Sequence, residues 1–255
     1  MSIRSKDIAE WLKQRLNIAG ARGFAVGLSG GIDSAVVARL CQLAAPGSVA
    51  GVIMPCHSDP RDEMDAVLVA DHFGISMVRI DLAPAYDTLV KDYTMALAQL
   101  PAGFEPAAAA DGPDIRARVP LANVKPRLRM TTLYFVANSL NYLVVGTGNR
   151  SELTIGYFTK YGDGGVDLLP IGTLLKSEVR SLARELEVPE AIIEKPPSAG
   201  LWLGQTDEDE MGFTYADLEN YLVNGPNGVA PALAMRIERL LRASDHKRAL
   251  APTPE

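Results

Sequence analysis

Apolar residues recur along this chain in two rhythms, and the rhythms alternate. Between Asp7 and Ile18, the positions Ile8, Trp11, Leu12, Leu16 and Ile18 fall at helical spacing. Short apolar runs of strand length follow: Phe24-Ala25-Val26, Val49-Ala50-Gly51-Val52-Ile53-Met54, Met77-Val78-Arg79-Ile80 and Tyr142-Leu143-Val144-Val145-Gly146. Helix-like stretches separate them, over Ile32–Leu43, from near Arg61 to Phe73, over Ala85–Leu100 and from near Leu121 to Leu140. Another covers Ser177–Leu186. Strands alternating with helices predict an α/β fold, a doubly wound parallel sheet with helices on both faces. In such sheets ligands bind beyond the carboxyl ends of the strands.

Residues 101–120 interrupt the rhythm. Pro101, Gly103, Pro106, the run Ala107 to Ala110, Gly112, Pro113 and Pro120 predict an exposed, mobile loop with no assigned role. A single domain is expected over residues 1–248, with a frayed tail at 249–255 that carries two prolines.

Composition narrows the class. The chain has 255 residues, 47% hydrophobic and 22% charged, with net charge −6. That acidic balance argues against broad binding to nucleic acid. No stretch approaches the roughly 18 continuous apolar residues of a membrane span, and the N-terminus lacks a secretory apolar core. Cys41 and Cys56 show neither metal nor redox spacing, and Cys41 reads as core packing. A cytoplasmic protein is the expectation.

Candidate chemistry begins at Gly27-Leu28-Ser29-Gly30-Gly31-Ile32-Asp33-Ser34, where a strand ends in a glycine turn that opens into a helix. Such a turn aims backbone N–H groups at one point, and the helix dipole favours an anion there. Asp33, one turn in, sets a carboxylate beside it, as a Mg²⁺–nucleotide requires. No lysine follows the glycines, so this is not a Walker loop, and the spacing is not that of a dinucleotide fingerprint. Gly27-Leu28-Ser29-Gly30-Gly31 also satisfies the hydrolase pattern Gly-x-Ser-x-Gly, which stays open on this segment alone.

Two further segments are dense in functional residue types. Gly146-Thr147-Gly148-Asn149-Arg150-Ser151-Glu152 follows the fourth strand, so Glu152 and Asp33 leave different strand ends and can meet at one Mg²⁺. Alone, Glu152 equally reads as a solvated glutamate at a helix start. Gly156 to Ile171 interleaves Lys160, Asp163 and Asp167 with Tyr157, Phe158, Tyr161 and glycines, the mixture of a loop that covers a ligand. Lys176 opens a helix, where its charge opposes the dipole, and a nearby phosphate would explain it.

The loop Ser29–Ser34 resembles the signature Ser-Gly-Gly-x-Asp-Ser of the ATP pyrophosphatases. Together with Asn123-Val-Lys-Pro-Arg-Leu-Arg-Met130, Gly146-Thr147, Glu152 and Phe158-Thr-Lys-Tyr-Gly-Asp-Gly-Gly165, it is similar to the NAD synthetase family. The collinear match continues through Asp167-Leu-Leu-Pro170, Lys176, Lys195-Pro-Pro-Ser198, Asp207-Glu-Asp-Glu-Met-Gly212 and His246-Lys247-Arg248. The resemblance implies an adenine-nucleotide alpha-hydrolase-like fold. It also implies amidation of deamido-NAD through an adenylate, releasing AMP and pyrophosphate. Gly27, Leu28, Ser29, Gly30, Gly31, Ile32, Asp33 and Ser34 would bind ATP, completed by Thr147, Lys176 and Ser198. Asp33 and Glu152 would bind Mg²⁺. Arg127, Lys160, Asp167, His246 and Lys247 would bind deamido-NAD, with Asp163 close by; Lys176, Asp163 and Asp167 are the candidates for the chemistry. The family's substrate lies across a homodimer interface, and residues 200–212 would form a loop ordered by substrates.

Two positions depart from the family pattern. Pro126 stands where alanine is common, removing a backbone donor and restricting Lys125. Ser198 stands where some members carry threonine, which keeps the hydroxyl. The chain begins about twenty residues before the signature loop, which leaves no room for a glutaminase domain, so free ammonia is the expected nitrogen donor. The rivals are another ATP pyrophosphatase amidase or thiolase, a serine hydrolase using Ser29 and His246, and a non-catalytic nucleotide-binding module. His57 and His72 read as structural or surface residues.

Overall fold

The computed structural model describes residues 5–101, 103–104, 115–198 and 206–254. Helix α1 (Ser5–Ala19) leads into β1 (Gly23–Gly27), α2 (Ile32–Ala44), β2 (Val49–Ile53), α3 (Pro60–Phe73), β3 (Ser76–Arg79) and α4 (Ala83–Leu97). Then follow α5 (Ile115–Leu140), β4 (Tyr142–Val145), α6 (Arg150–Ile155), α7 (Lys176–Glu185) and α8 (Glu190–Ile193). The chain closes with α9 (Asp207–Met211), α10 (Tyr215–Asn224), α11 (Pro231–Ala243) and α12 (Asp245–Arg248). No described helix is long and apolar enough to cross a membrane.

The four strands are parallel in the order β3-β2-β1-β4. The chain builds outward from β1 to β3, then returns to lay β4 on the other side of β1. That reversal opens a crevice at the carboxyl ends of β1 and β4, the place where such sheets bind ligands. The four expected strands all form, within one or two residues of their predicted ends.

Alternation along β1 sorts the two faces. Phe24 and Val26 point into a large core with Leu12, Val36, Val37 and Leu40 of α1 and α2 and with Val179 of α7. Ala25 faces the other way, with Val144 of β4 and Ala137 of α5. Small side chains on that face let α5 lie directly against β1 and β4. A third core gathers Ile155, Met211, Phe213, Tyr215, Leu218 and Ile237 from α6, α9, α10 and α11 and the connecting residues.

One expected boundary moves. The loop predicted through Pro120 gives way to helix at Ile115, and α5 contains both Pro120 and Pro126. A proline inside a helix costs about 3 kcal/mol, because its N–H is missing and its ring crowds the preceding turn. Leu128, Leu133, Val136 and Ala137 pack α5 onto the sheet. Leu128, Leu133 and Val136 are partly buried there, so each contributes a part of the roughly 1.5–3 kcal/mol of a fully buried apolar side chain, which works against the cost of the prolines. The rest of the predicted loop, residues 102 and 105–114, lies outside the described residues.

Candidate active site

The turn after β1 is held by its own hydroxyls. Ser34 Oγ donates to the Gly31 carbonyl (2.9 Å) and accepts the Ser29 N–H (3.3 Å). Ser29 Oγ lies 3.0 Å from Ser34 Oγ and accepts the Gly31 N–H (3.2 Å). No side chain caps α2 at Gly31, so the helix start keeps its donors for an anion. Gly30 is turned away from the cleft, towards α3. Its φ is +74°, and a Cβ there would meet the Asp62 carbonyl at 2.4 Å, so only glycine lets α3 approach the loop.

Carboxylates and one lysine meet where β1 and β4 end. Asp33 accepts from Asn149 Nδ2 (3.2 Å) and pairs with Lys176 Nζ. Lys176 Nζ is also 3.7 Å from Glu152 Oε1. Glu152 serves two purposes with its two oxygens. Oε2 accepts the Asn149 N–H (3.1 Å), while Asn149 Oδ1 accepts the Glu152 N–H, a reciprocal cap that starts α6. Oε1 is left for the cleft. Helix-start glutamate and candidate metal ligand are therefore the same residue.

Only 3% of the Lys176 side chain is exposed. Burial works against its charge, but Asp33 and Glu152 prevail and raise its pKa to about 12. Glu152 moves the other way for a carboxylate: burial, then the Asp33 charge, push it up to about 8, with Lys176 offsetting part of this. The unfavourable position of Lys176 at a helix start is thus offset by two carboxylates within the chain. Among the described residues no group of three His, Cys, Asp or Glu encloses one point. Two carboxylates that already share one cation still fit Mg²⁺, which takes its other oxygen ligands from water and phosphates.

The cleft, about 540 Å³, is of ligand-binding size. Gly27, Leu28, Ser29, Gly31, Ile32, Asp33, Ser34, Thr147, Glu152, Lys176 and Ser198 line it, as do Asp163 and Lys247. Asp163 Oδ1 accepts the Thr159 N–H (2.9 Å). Its carboxyl opens to the cleft yet is surrounded by protein, and that loss of water raises its pKa. Lys247 Nζ donates to the carbonyls of Gly156 and Phe158 (2.7 Å each).

Arg127, Lys160, Asp167 and His246 do not line the cleft. Lys160 Nζ donates to the His246 carbonyl, and Arg127 reaches the Lys160 carbonyl (3.4 Å). Asp167 accepts from Tyr134 OH (2.9 Å) and from the Val144 N–H (2.8 Å), beside β4. Of the six residues expected at the dinucleotide, the single chain therefore brings two into the cleft. The other four stand outside it.

A family model described as NAD synthase matches residues 4–251. The chain belongs to the NAD synthase family. It is 49% identical over 251 residues to the NH(3)-dependent NAD(+) synthetase of Carboxydothermus hydrogenoformans, covering 98% of this chain and 96% of that one. Among solved structures it is similar to NMN synthetase from Francisella tularensis, with TM-score 0.86 and 38% identity over 98% of this chain and 96% of that one. The NH3-dependent NAD synthetase from Campylobacter jejuni gives TM-score 0.76 and 27% identity, covering 98% and 97%.

Within this NAD synthase fold several cleft residues carried no sequence-based role. Lys195 Nζ bonds Asp62 (2.8 Å) and Asp65 of α3 and reaches the Gly30 carbonyl (3.5 Å), pinning the glycine turn to α3. Arg129 donates to the Met54 carbonyl (3.3 Å) and to Ser58 Oγ (3.2 Å). Asp207 lies in the quoted acidic run and is buried; its partners Tyr157 and Tyr215 come from two other segments. Of the loop expected over 200–212, residues 200–205 lie outside the described residues, and Asp207–Met211 form α9.

The hydrolase arrangement does not form. His57 Nε2 pairs with Asp87 (2.7 Å), His72 Nε2 with the Glu187 carbonyl (2.8 Å), and His246 is exposed. None of the three lines the cleft, so Ser29 has no imidazole to take its proton.

Proposed function

We propose that this chain makes NAD by amidating deamido-NAD with ammonia, through an adenylate, at the expense of ATP. One observation carries the reading. Asp33, Glu152 and Lys176 converge beside a glycine turn whose helix start is uncapped. A carboxylate is a poor electrophile until its oxygen is joined to the α-phosphorus of ATP and pyrophosphate leaves. Ammonia then attacks the activated carbonyl, and AMP departs.

Ser29, Gly31 and Ser34 hold the phosphates together with the first N–H groups of α2, while Gly30 shapes the turn. Thr147, Lys176 and Ser198 complete the ATP side. Asp33 and Glu152 would hold Mg²⁺, which supplies positive charge to the phosphate oxygens. Lys176 stays cationic at neutral pH and sits where charge builds on the departing pyrophosphate. No residue acts as a covalent nucleophile, because the Ser29 hydroxyl is committed to Ser34 and Gly31. Asp163, open to the cleft, is the nearer of the two aspartates to receive a proton from the incoming ammonium. Residues 1–248 act as one catalytic domain in this reading.

We further propose a homodimer that completes the dinucleotide side around Arg127, Lys160, Asp167 and His246. Helix α4 buries none of its residues, and Tyr93, Met95 and Leu97 on it are about half exposed. Phe135 on α5 is 72% exposed. Apolar surface of that extent marks an interaction site, and a two-fold dimer is the commonest solution.

The decisive assay measures pyrophosphate release and amide formation with ATP, Mg²⁺, ammonium and a panel of carboxylate substrates. Turnover with deamido-NAD and ammonium, and none with purified glutamine, is the expected result. Release without any acid, or with every acid tried, would refute it. The Francisella tularensis neighbour, named an NMN synthetase, makes nicotinic acid mononucleotide the second acid in that panel. A higher kcat/KM for the mononucleotide would reassign the substrate and leave the chemistry in place.

A further inference from the structure

Glu152 keeps one oxygen for the cleft, and something must aim it. Oε2 is tied to the cap of α6, so the carboxylate can still rotate about that anchor. Besides Lys176 Nζ at 3.7 Å, the group that meets this oxygen is the Tyr215 hydroxyl, 3.3 Å from Oε1. The same hydroxyl is 2.9 Å from Asp207 Oδ2. Lys176 Nζ lies 5.1 Å from the centre of the Tyr215 ring, within reach of a cation–π contact. Tyr215 therefore touches both Glu152 and Lys176.

Its position is fixed from several sides. The ring is 6% exposed, within the core of Ile155, Met211, Phe213, Leu218 and Ile237. Its N–H donates to Glu208 Oε1 (2.9 Å), and the start of α10 is closed by the reciprocal cap between Thr214 and Asp217. Asp207 is held in turn. It is 4% exposed, and its Oδ1 accepts from Tyr157 OH (3.3 Å), which also bonds Glu210 (2.7 Å).

Core packing alone asks for an aromatic ring and would be satisfied by phenylalanine. The hydroxyl is the surplus, and a buried hydroxyl aimed between two carboxylates is expensive unless it is used. Hydrogen-bond partners of metal ligands orient them, and losing one typically weakens the metal 10–100-fold.

We propose that Tyr215 and Asp207 are positioning residues for the metal carboxylate: Tyr215, braced by Asp207, aims Glu152 Oε1 into the cleft. The inference rests on the reading that Asp33 and Glu152 hold Mg²⁺.

The test uses the full chain and a non-hydrolysable ATP analogue. Mg²⁺ binding is read by calorimetry, and kcat and the Mg²⁺ requirement are read by pyrophosphate release. Tyr215→Phe keeps the ring under Lys176 and the core packing. It is expected to weaken Mg²⁺ about tenfold and to raise the half-activating Mg²⁺ by the same factor. Excess Mg²⁺ restores the rate, and the KM for the acid substrate does not move. Asp207→Asn, which keeps an acceptor for the phenol, gives a change in the same direction and of smaller size. Glu152→Gln is the reference and loses Mg²⁺ binding.

If Glu152→Gln loses Mg²⁺ while Tyr215→Phe and Asp207→Asn bind it like wild type, the positioning role is wrong and the metal assignment stands. A Tyr215→Phe variant whose rate stays low at saturating Mg²⁺, with unchanged affinity, also overturns the role. If Glu152→Gln itself binds Mg²⁺ normally, the metal assignment fails, and the positioning role falls with it.

Discussion

The two ends of the cleft are built on different terms. At the glycine turn, α2 begins without a side-chain cap, and the one cation, Lys176, is buried and paired with the carboxylates Asp33 and Glu152. At the rim, the cations are held by neutral backbone carbonyls instead. Lys160 donates to the His246 carbonyl and Lys247 to those of Gly156 and Phe158. At the first end, an anion could meet the opening N–H groups of α2 without displacing a side-chain cap. At the second, a ligand must displace internal bonds or meet residues that a second copy of the chain supplies. Preorganised donors serve charge that appears during reaction, because nothing has to move at that moment. Bonds that must be exchanged on binding serve discrimination between substrates instead.

The largest expected losses follow substitution of Asp33 and Glu152. Asp33→Asn and Glu152→Gln are each expected to lower kcat/KM by about 100-fold or more, since a lost metal ligand costs several kcal/mol of transition-state stabilisation. The folds should survive, as read by circular dichroism. Near-wild-type turnover at low Mg²⁺ in both variants would refute the metal assignment.

Lys160→Ala sharpens the contrast between the ends. Losing one charge-assisted contact of the rim should raise the KM of the dinucleotide acid about tenfold, and that of ATP far less. An equal rise in both would mean that the two ends do not divide the substrates. Dilution tests the same contrast at the level of assembly. Activity is expected to fall with protein concentration as sedimentation shows a dimer giving way to monomer. A fully active monomer would place the whole dinucleotide site in one chain.

The smallest expected effect is on stability. Glu152 stands at about 8 in the folded protein against an ordinary 4.5. Between those values the folded chain keeps a proton that the unfolded chain has lost, so stability falls as pH rises through the window. Glu152→Gln carries no such charge. Its thermal midpoint should therefore exceed that of wild type by a few degrees at the upper edge of the window and match it at the lower edge. A difference that shrinks as pH rises would show that Lys176 dominates the carboxylate.

Much of this was legible in the chain. Each strand announced itself as an apolar run; β1 and β2 owe this to burial on both faces, whereas β3 is exposed along its length. The glycine turn was legible because its conformations exclude other residues, as Gly30 shows. Parts of the carboxyl-terminal third are marked only by their capping residues. Thr206 and Asp209 are spaced to start a helix, and so are Thr214 and Asp217, and both pairs do so. These helices are short and lack a long apolar stripe, so periodicity alone does not reveal them.

Local order, then, belongs to the sequence: where strands and helices lie, where an anion can bind, and which acids stand near it. The family pattern added the residues expected at the dinucleotide. Proximity across the chain belongs to the tertiary structure. Only the placing of β4 beside β1 brings Glu152 to Asp33, and only the packing of α10 against α6 sets Tyr215 between Glu152 and Asp207. The reason is physical. Turns and periodicity act over a few residues, whereas strand order and side-chain burial are decided when distant segments compete for one core.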